Sequence, residues 1–245
     1  MSRTGTALIT GASRGIGLAI ARRLAAEGFD LTVSARSPGT LEPVAEQLRQ
    51  FGRRVHVVPA DMADGAQVIE LVDQHQALHG NLDVLVLSAG VGFGGPLADY
   101  PIRRFDTQIT VNVRAPFLLI QRALPALRVA AASSRRGAKI IAIASITGIA
   151  AEPDLAAYGA SKAALISLCE SITVAEAEHG VSATAISPGF VDTDMSEWMR
   201  ERIDPATMIT SDDIAELVHS ITRLSRWAAV PNIAVTRPGA QLWRA

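Results

Sequence analysis

Residues 6–21 read TALITGASRGIGLAIA, a short apolar run followed by a glycine-rich turn and an apolar pattern of helical spacing. This pattern predicts a strand over residues 6–10 and a helix over residues 15–27. Glycines let such a turn fold tightly and bring its backbone close to a pyrophosphate. The free N–H groups and the dipole of the helix N-terminus favour the same anion. The stretch therefore predicts a phosphate-binding turn, although glycines also serve ordinary tight turns.

Strands and helices continue to alternate along the rest of the chain. Further strands are predicted over residues 30–34, 55–58, 82–87, 139–144, 181–186 and 233–235, and further helices over 40–51, 66–78, 102–130, 158–178 and 212–224. Such alternation is typical of right-handed βαβ units. Near-continuous apolar strands suit a sheet that is covered on both sides. We therefore expect a doubly wound α/β fold, with a parallel sheet of about seven strands and helices on both faces.

Composition favours a soluble globular protein without a nucleic-acid partner. The 245 residues are 49% hydrophobic and 19% charged, with a formal net charge of -1, so no basic field points to nucleic acid. The longest apolar run, residues 139–151, is shorter than the ~20 residues of a membrane span, and no signal peptide precedes the glycine-rich turn. We expect a cytoplasmic protein that does not bind a membrane.

The histidines and the single cysteine do not predict a metal site. His75 and His79 share a helix face, but Gln76 stands where metalloproteases of the HExxH type carry glutamate. We expect these two histidines to be solvated near a helix end. Cys169 follows Leu165 and Leu168 in a helical pattern, so a buried structural thiol is expected.

The turn has the spacing TGxxxGxG, and further motifs follow it in order. They are Asp61-Met62, Ser88-Ala89-Gly90, Asn112, Ser145, Tyr158-Gly159-Ala160-Ser161-Lys162 and Ser187-Pro188-Gly189. Together they resemble the short-chain dehydrogenase/reductase family over nearly the full chain. Ser88 departs from the asparagine that the family usually has in its NAG motif, a change that we expect to affect a loop-bracing hydrogen bond only. The resemblance implies a single NAD(P)-binding domain of the Rossmann type over residues 1–245.

The end of the second strand favours NADP(H). NAD enzymes typically carry a carboxylate there, which binds the adenosine ribose, whereas this strand ends Val33-Ser34-Ala35-Arg36. With Arg14 from the glycine-rich turn, two guanidinium groups and a hydroxyl, without a nearby acid, suit a 2′-phosphate. The alternative is that both arginines are solvated surface charges. The residues expected to bind the cofactor are Gly11, Ser13, Arg14, Gly15, Ile16, Gly17, Ala35, Arg36, Asp61, Met62, Ser88, Ala89, Gly90, Tyr158, Lys162, Pro188, Gly189, Val191 and Thr193.

Part of this set rests on the resemblance alone. It implies that Asp61 binds the adenine edge through its side chain and Met62 through its backbone. It also implies that Lys162 holds the nicotinamide ribose hydroxyls. The backbone that follows Pro188, together with the Thr193 hydroxyl, is implied to orient the nicotinamide carboxamide.

The resemblance implies an oxidoreductase that moves a hydride between NADP(H) and a carbonyl or alcohol carbon. Carbonyl reduction needs a proton donor, and Tyr158 is the candidate. Lys162 lies four residues later on the same predicted helix, so its charge, together with that of oxidised nicotinamide, is expected to lower the phenol pKa. Ser145, at the end of a central strand, can donate to the substrate oxygen. Asn112 interrupts a long helical pattern; the family uses it to hold a water that relays protons to the lysine, while a polar residue at a helix kink is the alternative. The predicted catalytic set is Asn112, Ser145, Tyr158 and Lys162.

Residues 190–210 resemble the family's substrate-covering loop and helix. Their apolar side chains either line a hydrophobic pocket opposite Phe93 and Leu97 or simply pack on the fold. They are Met195, Trp198, Met199, Ile203 and Met208. Ketones, aldehydes and 3-oxoacyl thioesters are the substrate classes that we consider.

A non-catalytic NADP-sensing regulator on the same fold is the alternative function, although a sensor has no need of the proton-transfer residues. By resemblance, the long helices around residues 105–127 and 158–178 pack across two-fold interfaces. We therefore expect a homodimer or homotetramer.

Overall fold

Seven parallel strands form one sheet within residues 5–239, the part of the chain that the computed structural model describes. The strands are β1 (Thr6–Thr10), β2 (Asp30–Ser34), β3 (Val55–Val57), β4 (Val84–Leu87), β5 (Ala138–Ile143), β6 (Val181–Pro188) and β7 (Asn232–Val235). Their order across the sheet is β3-β2-β1-β4-β5-β6-β7. The predicted fold class and number of strands are confirmed.

The helices also follow the predicted pattern, with ends that differ by up to three residues. They are α1 (Gly15–Ala26), α2 (Pro38–Arg49), α3 (Gly65–His79), α4 (Ile102–Ile109), α5 (Ala115–Ala132), α6 (Ala156–Ala175) and α7 (Ser211–Arg223). Capping residues account for two of the starts, because Asp64 accepts hydrogen bonds from the first turn of α3 and Thr210 from that of α7. The predicted helix over residues 102–130 is divided by a π-helical turn, Thr110–Arg114, between α4 and α5.

Two hydrophobic clusters cover the two faces of the sheet. One contains residues of α3, α5 and α6, and the other contains residues of α1, α2 and α7. Strand β1 contributes Leu8 to the first cluster and Ile9 to the second, as expected where successive side chains point to opposite faces. Cys169 belongs to the first cluster and is fully buried, which confirms the expected structural thiol.

The order of the strands reverses direction at β1. This strand pairs with β2 on one side and with β4 on the other, so the chain winds outward from it both ways. Open α/β sheets bind their ligands in the crevice at the carboxyl ends of the strands, at such a reversal of strand order. Most predicted site residues follow one of the strands β1 to β6, whereas Asn112 lies in the π-helical turn and Tyr158 and Lys162 lie in α6.

The helical segment Ile102–Ala132 is long and apolar enough to cross a membrane, judged by length and composition alone. Half of its most apolar window is buried within the fold, and buried core helices of soluble proteins pass the same test.

The expectation of two solvated histidines near the end of α3 is wrong, because His75 is buried and both ring nitrogens of His79 are buried without a hydrogen-bond partner among the described residues. The His75 residue is 1% exposed, with Nδ1 2.8 Å from Thr32 Oγ1 and Nε2 3.1 Å from the Asn81 carbonyl oxygen. A carbonyl only accepts, so Nε2 carries the proton and Nδ1 accepts from the Thr32 hydroxyl. The His79 ring lies between those of His75 and His56, with ring centroids 4.7 and 5.1 Å away. Burial, followed by repulsion from neighbouring histidines, lowers the pKa of His75 and of His79 to about 4.

We predict that this cluster makes the fold sensitive to acid. A folded-state pKa near 4 and an ordinary pKa of 6.5 mean that the unfolded chain binds more protons between these values. The free energy of unfolding therefore falls as the pH drops from 6.5 towards 4. In chemical denaturation across this range, His75→Gln should retain about 2–3 kcal/mol more of its neutral-pH stability than the wild type. His179→Gln, whose ring is half exposed, is the control; equal pH slopes for His75→Gln and the wild type would contradict the assignment.

Candidate active site

The glycine-rich turn lies at the carboxyl end of β1, against the loop that follows β4. Gly11 has a φ of +68°, and a Cβ added there would lie 2.8 Å from the Ala89 backbone nitrogen. A Cβ on Gly17 would lie only 2.2 Å from the Gly11 carbonyl oxygen. Gly15, the first residue of α1, also has a positive φ, of +54°. Only glycine fits these three positions without displacement of the backbone.

The first turn of α1 presents its N–H groups without a capping side chain. Arg14 occupies the cap position in an extended conformation and makes no side-chain capping bond. The adjoining side chains of Ser13 and Ile16 are partly exposed. Uncapped amides at a helix N-terminus bind a phosphate through hydrogen bonds and the helix dipole. The close glycine contacts and these free amides fit the pyrophosphate of a dinucleotide.

Thr10 joins the carboxyl ends of β1 and β4. Its Oγ1 accepts hydrogen bonds from the backbone nitrogens of Ser88 and Ala89, both at 3.2 Å, and donates to the Val86 carbonyl at 3.3 Å. The loop after β4 is therefore braced through its backbone amides. Serine in place of the family's asparagine at position 88 leaves this bracing in place.

The end of β2 carries no carboxylate, as the sequence predicts. Ala35 is partly exposed and Arg36 is exposed, and Arg36 forms no hydrogen bond or ion pair within residues 5–239. The neighbouring Ser34 hydroxyl is fully buried, so it does not face solvent together with the arginine. Asp61 is partly exposed and accepts a hydrogen bond from the Ala63 nitrogen through Oδ1 at 2.9 Å, and Met62 is 7% exposed.

The other predicted arginine, Arg14, has an acidic partner, whereas the sequence predicts a site without a nearby acid. Arg14 Nη1 lies 2.6 Å from Asp194 Oδ2, and both side chains are more than 60% exposed. An exposed pair of this kind contributes little to stability. It does neutralise part of the charge that Arg14 would offer to a phosphate, so Arg36 is the one of the two that has no acidic partner within residues 5–239.

Tyr158 and Ser145 meet beside the carboxyl end of β5. Ser145 is 8% exposed, and its Oγ accepts hydrogen bonds from Thr147 N at 3.2 Å and from Thr147 Oγ1 at 3.0 Å. Two donors on one hydroxyl oxygen direct its own hydrogen away from Thr147. Burial raises the pKa of Tyr158 above its ordinary value of 10.0, and a hydrogen bond with Ser145 opposes part of that shift.

Lys162 is buried beneath the tyrosine ring. Its Nζ lies 5.6 Å from the ring centroid of Tyr158 and donates to the Ile143 carbonyl at 2.8 Å. Burial lowers the pKa of this amine to about 8. The expectation that Lys162 lowers the phenol pKa is therefore wrong for the chain by itself, because the cost of burying charge shifts both groups towards their neutral forms.

Asn112 lies in the π-helical turn and links two parts of the site. Its Oδ1 accepts from Val91 N at 2.9 Å, while Nδ2 donates to the Val91 carbonyl at 2.8 Å and to Ser161 Oγ at 3.0 Å. The Ser161 hydroxyl in turn donates to the Tyr158 carbonyl at 2.7 Å. A Cβ on Gly90 would lie 3.3 Å from Asn112 Oδ1 and 3.4 Å from Lys162 Nζ, so glycine there leaves room between amide and amine. Both amide hydrogens of Asn112 are occupied, and one lone pair of Oδ1 remains for a water.

The segment after β6 lies over the glycine-rich turn. Gly189 N donates to the Val235 carbonyl at 2.8 Å and fixes the exit of the strand at Pro188, while Val191 pairs with Ile209. The Thr193 side chain lies 3.3 Å from a Cβ built on Gly15. Thr193 thus reaches the start of α1, where it can contact a ligand bound at the turn.

The apolar side chains of residues 190–210 divide between the two roles that the sequence left open. Met199 and Met208 are 8% and 6% exposed and pack on the fold. Met195 and Trp198 are 54% and 58% exposed, and across the crevice Leu97 is 75% exposed. The exposed set can contact an apolar substrate, whereas the buried methionines support the segment.

Sequence reasoning missed four polar residues of this site: Thr10, Gln108, Thr147 and Asp194. Thr10 is the first residue of the TGxxxGxG motif, so this motif could have identified it. Thr147 lies two residues beyond Ser145, within reach of a local hydrogen bond. Gln108 and Asp194 gave no signal, because their contacts depend on loops that come together only in the folded chain.

Comparisons with known proteins agree with this geometry. A family model described as short chain dehydrogenase matches residues 5–204. The 3-oxoacyl-[acyl-carrier-protein] reductase FabG of Staphylococcus aureus (strain Mu50 / ATCC 700699) is 32% identical over 96% of this chain and 90% of its own.

Two solved structures are similar over nearly the whole chain. The 3-oxoacyl-[acyl-carrier protein] reductase from Brucella melitensis, in complex with NAD, has a TM-score of 0.87 and 28% identity over 96% of both chains. The alcohol dehydrogenase from the archaeon Thermococcus sibiricus, complexed with 5-hydroxy-NADP, has a TM-score of 0.87 and 27% identity over 98% of both chains.

We predict that Thr147 orients the Ser145 hydroxyl. Thr147→Val keeps the shape of the side chain and removes the donor, so the Ser145 hydrogen is no longer directed away from position 147. Turnover should fall roughly three- to tenfold, the worth of about one hydrogen bond, while nucleotide affinity and melting temperature change little. Thr147→Ser, which keeps a hydroxyl, should restore most of the turnover. Thr222→Val removes a buried hydroxyl that bonds only within its own helix and is the matched control; an equal loss in that variant would contradict the prediction.

Proposed function

The chain belongs to the short-chain dehydrogenase family of oxidoreductases, and from this premise we propose that it transfers a hydride between NADP(H) and a carbonyl or alcohol carbon. The observation that carries the proposal is the cluster at the carboxyl end of β5. There the half-buried phenol of Tyr158 lies beside the Ser145 hydroxyl, with the buried amine of Lys162 beneath its ring. This arrangement suits proton transfer to an oxygen bound in front of Tyr158 and Ser145.

The proposed cofactor site follows the crevice between the loops after β1 and β4. The first-turn amides of α1 and the glycines of the turn would hold the pyrophosphate, Asp61 and Met62 the adenine, and Lys162 the nicotinamide ribose. Pro188, Gly189, Val191 and Thr193 would contact the nicotinamide end. The bound nicotinamide supplies the hydride for reduction or accepts it in oxidation.

Tyr158 acts in this proposal as the general acid of reduction. Because burial raises its pKa, the phenol is protonated at neutral pH and can donate to the oxygen that gains charge as the carbonyl is reduced. The Ser145 hydroxyl, with its oxygen held by Thr147, donates a second hydrogen bond to that oxygen and stabilises the charge. In oxidation the same groups work in reverse, and the phenolate takes the alcohol proton.

Lys162 and Asn112 complete the proposed proton route. With a pKa of about 8, the Lys162 amine can give up and regain a proton near neutral pH. The Asn112 side-chain amide binds the backbone of Val91 and the hydroxyl of Ser161, the residue before the lysine. Its Oδ1 borders the space at Gly90 beside Lys162 Nζ, where a water would connect the lysine to solvent in this proposal.

The proposed preference for NADP(H) rests on charge at the end of β2. The Arg36 guanidinium is exposed and has no partner in the described part of the chain, and with an alanine at position 35 it favours a 2′-phosphate. Arg14 contributes less in this proposal, because Asp194 already occupies one of its nitrogens.

The proposed substrates are ketones, aldehydes or 3-oxoacyl compounds with an apolar group next to the carbonyl. The exposed side chains of Leu97, Met195 and Trp198 would border the bound substrate in this proposal and favour apolar substituents. Similar proteins that are named as 3-oxoacyl-[acyl-carrier-protein] reductase and as alcohol dehydrogenase support this range of substrates.

Assembly into a homodimer or homotetramer is part of the proposal. Helices α5 and α6 expose Phe117, Val129 and Val174, which are 50% to 80% accessible. Exposed apolar side chains on long helices are typical of surfaces that pack against a second copy.

We propose that the protein functions in the cytoplasm.

We predict that the protein oxidises NADPH when members of a panel of ketones and aldehydes are present. The reaction is monitored through the loss of NADPH absorbance. Tyr158→Phe removes the acid with little change in packing, so turnover should fall at least ~100-fold, while NADPH affinity is kept. Thr222→Val removes a buried hydroxyl that bonds only within its own helix and should retain the turnover of the wild type. A Tyr158→Phe variant with near-normal turnover would refute the mechanism, and tight NADPH binding without turnover of any panel member would favour the sensing regulator.

We also predict that Arg36 determines cofactor preference. A charge-assisted contact contributes about 1.5–3 kcal/mol, so Arg36→Ala should weaken NADPH binding roughly ten- to a hundredfold and leave NADH binding almost unchanged. Addition of Ala35→Asp should turn the preference towards NADH, because a carboxylate repels the 2′-phosphate and accepts bonds from a free ribose. Arg22→Ala, which removes an exposed arginine of α1 bonded to Gln47, is the control in parallel titrations. Equal losses of affinity for NADPH and NADH in Arg36→Ala would show that Arg36 does not bind the 2′-phosphate.

A further inference from the structure

The loop after β4, residues 91–96, runs directly against the proposed catalytic tyrosine. A Cβ on Gly92 would lie 3.3 Å from Tyr158 Cε2, and a Cβ on Gly94 would lie 3.3 Å from Leu155 Cδ2. Both glycines are exposed. Bare backbone therefore forms the wall beside Tyr158, and a substrate bound in front of the phenol meets that wall without any intervening side chain.

The alternate residues of this loop are held by hydrogen bonds. Val91 is bound through both its N–H and its carbonyl by Asn112, and Gly95 N donates to the Asp154 carbonyl at 2.8 Å. Between them lies Phe93, whose ring also has the Arg104 guanidinium 5.8 Å from its centroid. The position of the wall thus depends on how the backbone at Phe93 is fixed.

Gln108 and Tyr100 close a circuit of hydrogen bonds around Phe93. Phe93 N donates to Gln108 Oε1 at 3.0 Å, Gln108 Nε2 donates to the Tyr100 hydroxyl at 2.8 Å, and that hydroxyl donates to the Phe93 carbonyl at 2.9 Å. Both backbone groups of Phe93 are therefore satisfied by side chains. The three bonds form a closed ring in which each group supports the next.

The burial of Gln108 shows how specifically α4 is directed at this loop. It is the one buried residue of α4, with 0% exposure. A buried amide is costly unless it is hydrogen-bonded, and its partners here belong to the loop and to Tyr100. The one buried side chain of α4 is therefore a polar group that binds the loop. An apolar side chain at this position could pack against the loop but could not form these hydrogen bonds.

We propose that Gln108 and Tyr100 are positioning residues that fix the 91–96 loop against Tyr158 and thereby limit the size of the group next to the reacting carbonyl. The inference rests on the proposed function for its substrate class. Loss of the circuit leaves the Phe93 N–H and carbonyl without partners in the fold, and the loop can then retreat towards solvent. The space that this opens lies beside Gly92, where the substrate substituent would be held.

The proposal is tested with Gln108→Met, which keeps the length of the side chain, and with Tyr100→Phe, which keeps the ring. Thr107→Ala is the control, because Thr107 is the neighbour of Gln108 on α4 and its hydroxyl bonds only to the Arg103 carbonyl of that helix. Two measurements are made on each protein. The first is hydrogen exchange of the backbone amides of residues 91–95, and the second is kcat/KM for acetophenone and for butan-2-one with NADPH.

In both loop variants the Phe93 amide should exchange at least about tenfold faster than in the wild type. The ratio of kcat/KM for acetophenone over butan-2-one should rise about tenfold, mostly through KM, with NADPH affinity unchanged. The double variant should resemble either single variant, because both residues act through Phe93. The Thr107→Ala control should match the wild type in both measurements.

Unchanged exchange at Phe93 in folded variants would overturn the proposal. So would faster exchange together with an equal loss for both ketones, which is the result of a merely structural role. The Tyr100→Phe variant keeps the test open if Gln108→Met does not fold. A wild type that binds NADPH but reduces neither ketone, nor any other carbonyl compound, would refute the proposed function and the limit on substrate size with it, while exchange at Phe93 still decides whether the circuit fixes the loop.

Discussion

The close contact between the glycine-rich turn and the loop after β4 is the constraint on which the site depends. Gly11 touches the backbone of Ala89, Gly17 touches Gly11, and Thr10 binds the amides of Ser88 and Ala89. These contacts fix the carboxyl ends of the two strands at which the sheet reverses its winding. The start of α1, the loop beside Tyr158 and the space beside Lys162 all take their positions from this junction. Any side chain at Gly11 or Gly17 would displace these backbone contacts and separate the start of α1 from the loop beside Tyr158.

Burial, more than pairwise charge, sets the pKa shifts of Tyr158, Lys162 and the histidines at the end of α3. Tyr158 and Lys162 shift in opposite directions, each towards its neutral form, and His75 and His79 also shift towards theirs. A sequence gives the spacing between Tyr158 and Lys162 but not the depth at which they lie. For this reason the proximity of these two residues could be predicted from the sequence, whereas the direction of the tyrosine pKa shift could not. The partner of Arg14 was out of reach for a related reason, since Asp194 lies 180 positions away.

Much of the architecture could be predicted because it is repeated locally along the chain. Each apolar strand and each helical period is visible within a window of ten to twenty residues, and the parallel order follows from their alternation. The predicted site residues are brought to the carboxyl edge of the sheet because they follow strands. The contacts that were missed join segments through ordinary residue types. His75 is buried against Thr32, which lies on a strand 43 positions away in the sequence. Gln108 binds Phe93 only because the loop after β4 folds over α4.

The π-helical turn between α4 and α5 sets the phase of two functions on one continuous helix. A π turn accommodates one residue more than the α-helical ladder around it. Before the turn, α4 directs Gln108 to the loop; within it, Asn112 reaches Val91 and Ser161; after it, α5 places its apolar side chains in the core. Removal of a single residue from Thr110–Arg114 would let the segment close as an ordinary α-helix, because the residue removed is the one that the π turn absorbs. Gln108 and α5 would then keep their faces while the bulge at Asn112 was lost, so the length of this segment is what brings Asn112 to Val91 and Ser161.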